Sequence, residues 1–387
     1  MENSSKKING LESARGLAAL VVVAWHTSLG FYPGLSGIFR GFDAHQNLQG
    51  SPLYALINGT AAVVFFFVLS GYVLSRGFLI SGDLNILKRN AIKRLPRLAF
   101  LTTSVCAISY FLFALELYRF EEAGRITQSP WLVKFAFAYD RPFDPNFMDA
   151  LLQGLYRTFY FGESYYNSSM WSMKIEFFGS FLVFGTAALI GSNSRPLGGL
   201  VILALASSFA LLQSPFYFSF VVGTALAWLI PTTQPRLGLI AALPSLILAF
   251  LLLGYTGLNI GFYKILGEFS GKNAAYLWII ASVFLILTIE RSPQVRSFLN
   301  MRALRFLGEI SFALYLVHVP VICSVGSLIY LVVGAGSASA EAFIAASIST
   351  VFVSIICAYV LTLANTYWLK QLNVATTAIS SNRIPEK

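Results

Sequence analysis

Apolar runs long enough to cross a bilayer recur from one end of this chain to the other. Nothing between them is both polar enough and long enough to fold as a separate soluble domain. A crossing helix needs about 20 predominantly apolar residues, and ten such runs can be placed. They lie near 11–31, 53–79, 97–117, 171–190, 198–213, 216–230, 237–254, 273–289, 306–331 and 342–367. Only 11% of the 387 residues are charged, against about 25% in a soluble domain, too few to cover a water-facing surface. The expected fold is therefore all-α: a polytopic bundle of about ten transmembrane helices lying in the lipid bilayer. One domain is expected over 1–387, with a short cytoplasmic tail at 368–387. Lys6 and Lys7 before the first run mimic a signal peptide, but no small-x-small cleavage pattern follows, so this run is kept as the first span.

The net charge of +10 would fit a nucleic-acid partner, but its distribution argues for topology instead. Lys88, Arg89, Lys93, Arg94 and Arg97 fall in one short connection, and Arg291, Arg296, Arg302 and Arg305 in another. With ten spans both connections share a face with Lys6, Lys7, Lys370, Arg383 and Lys387. The opposite face carries the 118–170 segment, where basic residues mix with Glu121, Glu122, Asp140, Asp144, Asp149 and Glu163. Positive charge marks the cytoplasmic side, which places both termini there and leaves no reason to invoke nucleic acid. Cys106, Cys323 and Cys357 all sit in apolar runs with neither disulfide-like nor metal-ligand spacing, so they read as packing residues and no metal site is expected.

Ionisable groups inside a bilayer are costly and mark candidate sites. Two of the three histidines, His26 and His318, fall inside spans. In the first span Arg15 and His26 are eleven residues apart, nearly the same face of a helix and a rise of about 16 Å. Glu12, Arg15, Ala19, Val22 and His26 then form one stripe, in which Glu12 and Arg15 can pair at i, i+3. The second span contains Phe66-Phe67-Val68-Leu69-Ser70-Gly71, whose Ser-Gly pair also suits close helix packing. Arg94-Leu95-Pro96-Arg97 places two guanidinium groups at the cytoplasmic edge, suited to phosphate or to topology alone. The fourth span opens Trp171-Ser172-Met173-Lys174-Ile175-Glu176, with Ser172 and Glu176 on one face and Glu176 just inside the outer surface. In the ninth, Ser311, Tyr315 and His318 share a face, and His318 reads equally as a catalytic or a helix-bridging group.

Taken in order, these segments resemble the membrane acyltransferase-3 family, whose bacterial members acylate surface glycans, oligosaccharide signals and some antibiotics. Arg15 and His26 match its basic-residue, ten-spacer, histidine motif; Phe66 to Gly71 its second-helix motif; Arg94 and Arg97 its arginine pair; Trp171, Ser172 and Glu176 its Trp-Ser-(x)3-Glu segment; Ser311, Tyr315 and His318 its late helix. Two departures stand out: Glu12-Ser13 where the family more often has Asp-Gly, and Val317 where Trp usually precedes the histidine.

The resemblance implies an O-acyltransferase, acetyl by preference, of the bacterial inner membrane. It would move an acyl group from cytoplasmic acetyl-CoA or another acyl-CoA to a hydroxyl of a carbohydrate, glycolipid or exopolysaccharide. On that reading the polar groups form a column. Arg94 and Arg97 hold donor phosphates at the cytoplasmic edge, with Arg15 near the inner face and Ser70 and His318 midway. His26 lies in the outer half and Glu176 close to the outer surface. His26 is the expected general base, Glu176 orients the acceptor or tunes a neighbour, and Arg15, Ser70 or His318 stabilises the oxyanion or positions the thioester. The aromatic 118–170 segment, with Trp131, Phe135, Phe137, Tyr139, Phe143, Tyr156, Phe159, Tyr160, Tyr165 and Tyr166, is either a cap for a sugar acceptor or an interfacial belt. The rival reading is a proton-coupled secondary transporter relaying protons through His26, Glu176 and His318; the arginine pair and the lack of an inverted repeat weigh against it.

Overall fold

In lipid, every backbone polar group must be satisfied within the chain, and helices do this without partners. The structure, a computed structural model, describes residues 9–39, 47–136, 144–192, 195–230, 236–266 and 274–381, and no strand occurs among them. Its long elements are α1 (Asn9–Phe31), α2 (Gly59–Ser81), α3 (Leu84–Ala114), α4 (Trp171–Gly191), α5 (Pro196–Gln213), α6 (Pro215–Leu229), α7 (Leu239–Leu253), α8 (Ala274–Arg291), α9 (Arg302–Val321) and α10 (Ala340–Ser381). A π-turn at Ile322–Gly326 and a further helix at Ser327–Gly334 prolong α9.

Eight of these helices are long and apolar enough to cross a membrane, and the chain is an integral multi-pass membrane protein. The two expected spans that fall short are α6 and α7, with 15 residues each. Each covers about 22 Å at 1.5 Å per residue, less than the roughly 30 Å hydrocarbon core. Pro215 opens α6 straight after Ser214, and Pro244 lies inside α7. At the other extreme, α10 does not stop near 367 but continues for 42 residues to Ser381. Its far turns lie along α3: the Trp368 indole donates to Pro96 O at 3.0 Å, and Lys93 Nζ donates to Asn373 Oδ1 at 2.7 Å. The expected tail thus begins as packed helix.

Chain direction alternates from helix to helix, which gathers the basic segments on one face. Gly10 at the start of α1 lies against Ile289 and Arg296, and Leu237 N–H donates to Arg291 O at 2.9 Å. Small residues allow the closest approaches, as expected where helix association depends on packing. A Cβ on Gly71 of α2 would stand 2.2 Å from Phe220 O of α6, and one on Gly223 of α6 would stand 2.0 Å from Val68 O.

On the opposite face, the 118–170 segment folds into short helices at Phe120–Thr127, Pro130–Val133 and Phe147–Leu152, a π-turn at Gln153–Arg157, and a final turn at Thr158–Tyr160. Its second half does not stay at the surface. Thr102 Oγ1 donates to Gly154 O at 2.6 Å and Ser109 Oγ to Tyr166 O at 2.7 Å, which lay this stretch down the side of α3. The aromatic cap expectation changes accordingly. Trp131, Phe135, Phe159 and Tyr166 are buried core, and of the expected set Tyr156 and Tyr160 are exposed. Phe137, Tyr139 and Phe143 lie outside the described residues.

Gly71→Ala should therefore separate α2 from α6 and lower the thermal midpoint in detergent by several degrees, an overpacking cost of about 1–3 kcal/mol. Gly185→Ala, whose Cβ meets nothing within 4 Å, should leave the midpoint unchanged or higher, since alanine favours helix. Equal midpoints for the two variants would remove the close crossing.

Candidate active site

Five helices, α1, α2, α3, α4 and α9, bring the five sequence motifs into one polar seam. At its lowest level Arg15 of α1 reaches across to α9, where its Nε donates to Ser311 Oγ at 2.8 Å and one Nη to Gly308 O at 3.2 Å. Beside it, Arg94 of α3 forms a buried ion pair with Glu176 of α4, and the same carboxylate oxygen accepts from Ser70 of α2 at 2.8 Å. Arg97 lies within electrostatic reach of Arg94, Arg15, Glu12 and Glu176. Three guanidinium groups thus face two carboxylates, leaving the seam positive at this level.

This arrangement corrects the expected order of the column. Arg94 and Glu176 were placed at opposite edges of the membrane, yet they touch. Arg94 is ten residues, about 15 Å, along α3 from Leu84, well inside the helix rather than at its edge. Glu176 is close to the start of α4, but that start is recessed, and residues 147–170 fold back into the bundle with it. The ion pair also divides the expected arginine pair. Arg94 is buried and committed to Glu176, whereas Arg97 is exposed.

The recess is fixed by a proline. Pro320 in α9 has no N–H, so Leu316 O loses its intrahelical donor. Asn167 Nδ2 supplies one at 2.6 Å, while Asn167 Oδ1 accepts from the backbone N–H and the hydroxyl of Ser169 at 3.1 and 2.8 Å. The turn so held aims Ser172 at Tyr315: their hydroxyls are 2.8 Å apart, and Tyr315 donates to Ser169 O at 2.9 Å. The expected Ser-Tyr-His face of α9 therefore joins the Trp-Ser-(x)3-Glu segment directly. Nothing in the composition around Asn167 singled it out. Its signal is the pairing of a lone Asn before a span with a proline inside another.

At the top of the seam the two membrane histidines meet. His26 Nδ1 lies 3.0 Å from Val22 O, its own helix carbonyl, and 3.0 Å from His318 Nε2. A carbonyl oxygen accepts only, so Nδ1 carries the proton and shares it with His318 Nε2 as a second acceptor. That tautomer leaves the lone pair of His26 on Nε2, which makes no protein hydrogen bond and keeps accessible surface. His318 is fully buried. The middle of the expected α1 stripe is different: Ala19 and Val22 are buried in helix packing, and accessible surface runs through Ala18 and Val21 instead. Arg15, Ser70, Glu176 and His26 are each part-buried.

Two polar groups lie apart from it. Outside the spans, Asp149 accepts from Arg157 at 2.6 Å and from the Tyr165 hydroxyl at 2.8 Å. Burial pushes the Tyr165 phenol up, and the Asp149 carboxylate adds to this, so the hydroxyl stays protonated and donates. On the far side of α2, Arg76 lies 3.8 Å from Glu290 with its guanidinium over the Tyr72 ring, a group that the sequence reading missed because Glu290 sits at a span end. The cysteines are free and behave as packing residues, with Cys106 and Cys323 fully buried.

A family profile described as an acyltransferase domain matches residues 8–363, nearly the whole chain. No curated protein and no solved structure matches it.

Asn167→Ala should leave Leu316 O unsatisfied and lower stability by about 1–3 kcal/mol. Adding Pro320→Ala returns an N–H to that carbonyl, so the double variant should melt higher than Asn167→Ala alone. A double variant that melts lower would show that Asn167 does not act through Leu316.

Proposed function

The chain belongs to the acyltransferase domain family, and from that premise we propose that it transfers an acyl group, acetyl by preference, from cytoplasmic acyl-CoA to a hydroxyl of a carbohydrate or glycolipid acceptor. The observation that carries this reading is the His26–His318 contact at 3.0 Å, which leaves His26 Nε2 as an open base at the end of the seam remote from the basic face. The basic segments support a cytoplasmic donor face, and the motif resemblance supports a surface glycan acceptor in a bacterial inner membrane. Membership of an acyltransferase family removes the footing of the transporter reading.

In the proposed reaction His26 Nε2 takes the proton of the acceptor hydroxyl as its oxygen attacks the thioester carbonyl carbon. The carbon–sulfur bond then breaks, the ester is complete, and the departing thiolate receives the proton that His26 holds. His318 accepts from His26 Nδ1–H throughout and keeps the ring in the productive orientation, as an orienting partner does for other histidine bases. The developing oxyanion needs a donor at the level of the thioester. Arg15 lies about 16 Å below His26 along α1 and the Ser70 hydroxyl is already donated to Glu176, so both line the donor's path rather than the oxyanion. Arg97, with surface to spare, meets the donor phosphates. Arg94 and Glu176 instead hold α3 and α4 in register, and the net positive field there comes from the excess of guanidinium groups over carboxylates. Tyr156 and Tyr160, with Phe147 and Phe161, are exposed rings of the 118–170 segment that remain for acceptor contact.

The test is purified protein in detergent with labelled acetyl-CoA and a panel of glycans. His26→Ala should reduce turnover at least a hundredfold, the scale of a lost general base. Arg97→Ala should raise KM for the acyl donor while changing kcat little. Near-normal transfer by His26→Ala would take the base role away from His26.

A further inference from the structure

The geometry points to Trp131, on the segment facing away from the basic side, as the positioning residue that holds the His26 ring and stabilises its protonated form. This rests on the reading of His26 as the base and goes beyond it, because Trp131 belongs to no motif and its own helix is four residues long (Pro130–Val133).

The indole lies over the imidazole, with ring centroids 5.2 Å apart and an interplanar angle of 25°. The His318 ring is close as well, at 4.9 Å and 36°. Val22 O accepts from Nδ1–H. Three sides of His26 are therefore held, one by its own helix, one by α9 and one by the cap, and the Nε2 edge is the one left open.

The clasp that delivers Trp131 is built in. Ser129 Oγ accepts from Leu132 N–H at 3.1 Å as the cap of the short helix, and donates to Leu29 O, in the last turn of α1, at 2.6 Å. Pro130 opens the helix with its φ already set. The Trp131 ring edge then lies over Gly30, where an added Cβ would meet it at 3.4 Å. Trp131 shares its core cluster with Tyr118, Phe120 and Phe135, which pack on one another edge-on or tilted at 5.0 to 5.9 Å, and it is itself only 3% exposed. The indole can neither swing away nor be replaced by water.

This placement matters because His26 gains a positive charge as the acceptor proton moves to Nε2. An aromatic face within about 6 Å attracts a cation, most strongly for tryptophan, and more where water is excluded. The face of Trp131 thus favours the imidazolium that forms during attack over the neutral ring that precedes it, an effect that appears in kcat rather than in substrate affinity.

The experiment is a double-mutant cycle on the full-length protein in detergent, measuring kcat and KM separately. Trp131→Met keeps apolar bulk without a ring, and Trp131→Phe restores a weaker one. The expected result is a kcat lower by about tenfold for Trp131→Met with KM for both substrates within twofold, and recovery of most of the loss in Trp131→Phe. On a His26→Gln background, Trp131→Met should cost nothing further. Unchanged kcat in Trp131→Met, or an equal loss on the His26→Gln background, would overturn the assignment. If Trp131→Met does not fold, Trp131→Phe decides: a kcat two- to threefold lower that vanishes with His26→Gln supports the role, and an unchanged kcat sinks it. Full activity in His26→Gln by itself would instead defeat the base reading, whatever Trp131 does.

Discussion

A charge placed in hydrocarbon must find an opposite charge, and the Arg94–Glu176 pair sets the register of the whole active half of the bundle. Removing either partner would strand a buried ion at a cost of about 3–5 kcal/mol, so α3 and α4 can dock at one height only. Because Glu176 is near the beginning of α4, that height pulls the start of the helix down into the bundle. The preceding chain has to follow it inward, which explains why residues 147–170 line α3 through Thr102 and Ser109 rather than spreading over the surface. The buried aromatics of this segment follow from the same descent: Phe159 and Tyr166 are where the membrane interior begins for that stretch, and they pack as core residues do.

The triplet Ser70-Gly71-Tyr72 shows how a single helix can serve three neighbours. Successive residues on an α-helix point about 100° apart. Ser70 therefore turns to Glu176, Gly71 admits the backbone of α6, and Tyr72 meets Arg76 and the α8 end near Glu290. Close packing falls to Gly71 and a hydrogen bond to Glu176 falls to Ser70, on adjacent faces. This couples stability to function, since the glycine that lets α6 approach also fixes the rotation that aims the serine. It also insulates the Arg94–Glu176 pair from the Arg76–Glu290 group, which lies behind the full width of α2.

The fold class was legible because its cause is local: scarcity of charge and repeated apolar runs act residue by residue. The site residues were legible as a set because each is an ionisable or hydroxylic group in an apolar run, and Arg15, His26, Ser70, Arg94, Arg97, Glu176 and His318 all prove to line one seam or its charge field. Their heights were not legible. Height depends on where each helix enters the membrane, and for α4 that is set by the Arg94–Glu176 pair together with Asn167, which satisfies a carbonyl that Pro320 orphaned 149 residues away in sequence. The sharing of roles within the Arg94–Pro96–Arg97 stretch was equally hidden, since either guanidinium could have met the carboxylate. Trp131 was visible as one aromatic among many, and only the clasp from Ser129 to Leu29 distinguishes it.

The meeting of His26 and His318 has a simple metrical origin. α1 and α9 run in the same direction and touch most closely where Gly16 and Gly308 face each other; a Cβ on Gly16 would stand 2.5 Å from Leu307 C, and one on Gly308 2.5 Å from Glu12 O. From Gly16 to His26 is ten residues, and from Gly308 to His318 is also ten, each a rise of about 15 Å. Two parallel helices pinned at their glycines must therefore bring the histidines to the same level, whatever the rest of the bundle does. Arg15 and Ser311 are offset by four further residues along α9, about 6 Å, a difference that the long arginine side chain spans and a histidine could not. The spacing between Arg15 and His26 is thus half of the device. The other half is the matching interval in α9, and a single inserted residue between Gly308 and His318 would rotate the second imidazole by about 100° and dissolve the pair while leaving every motif residue in place.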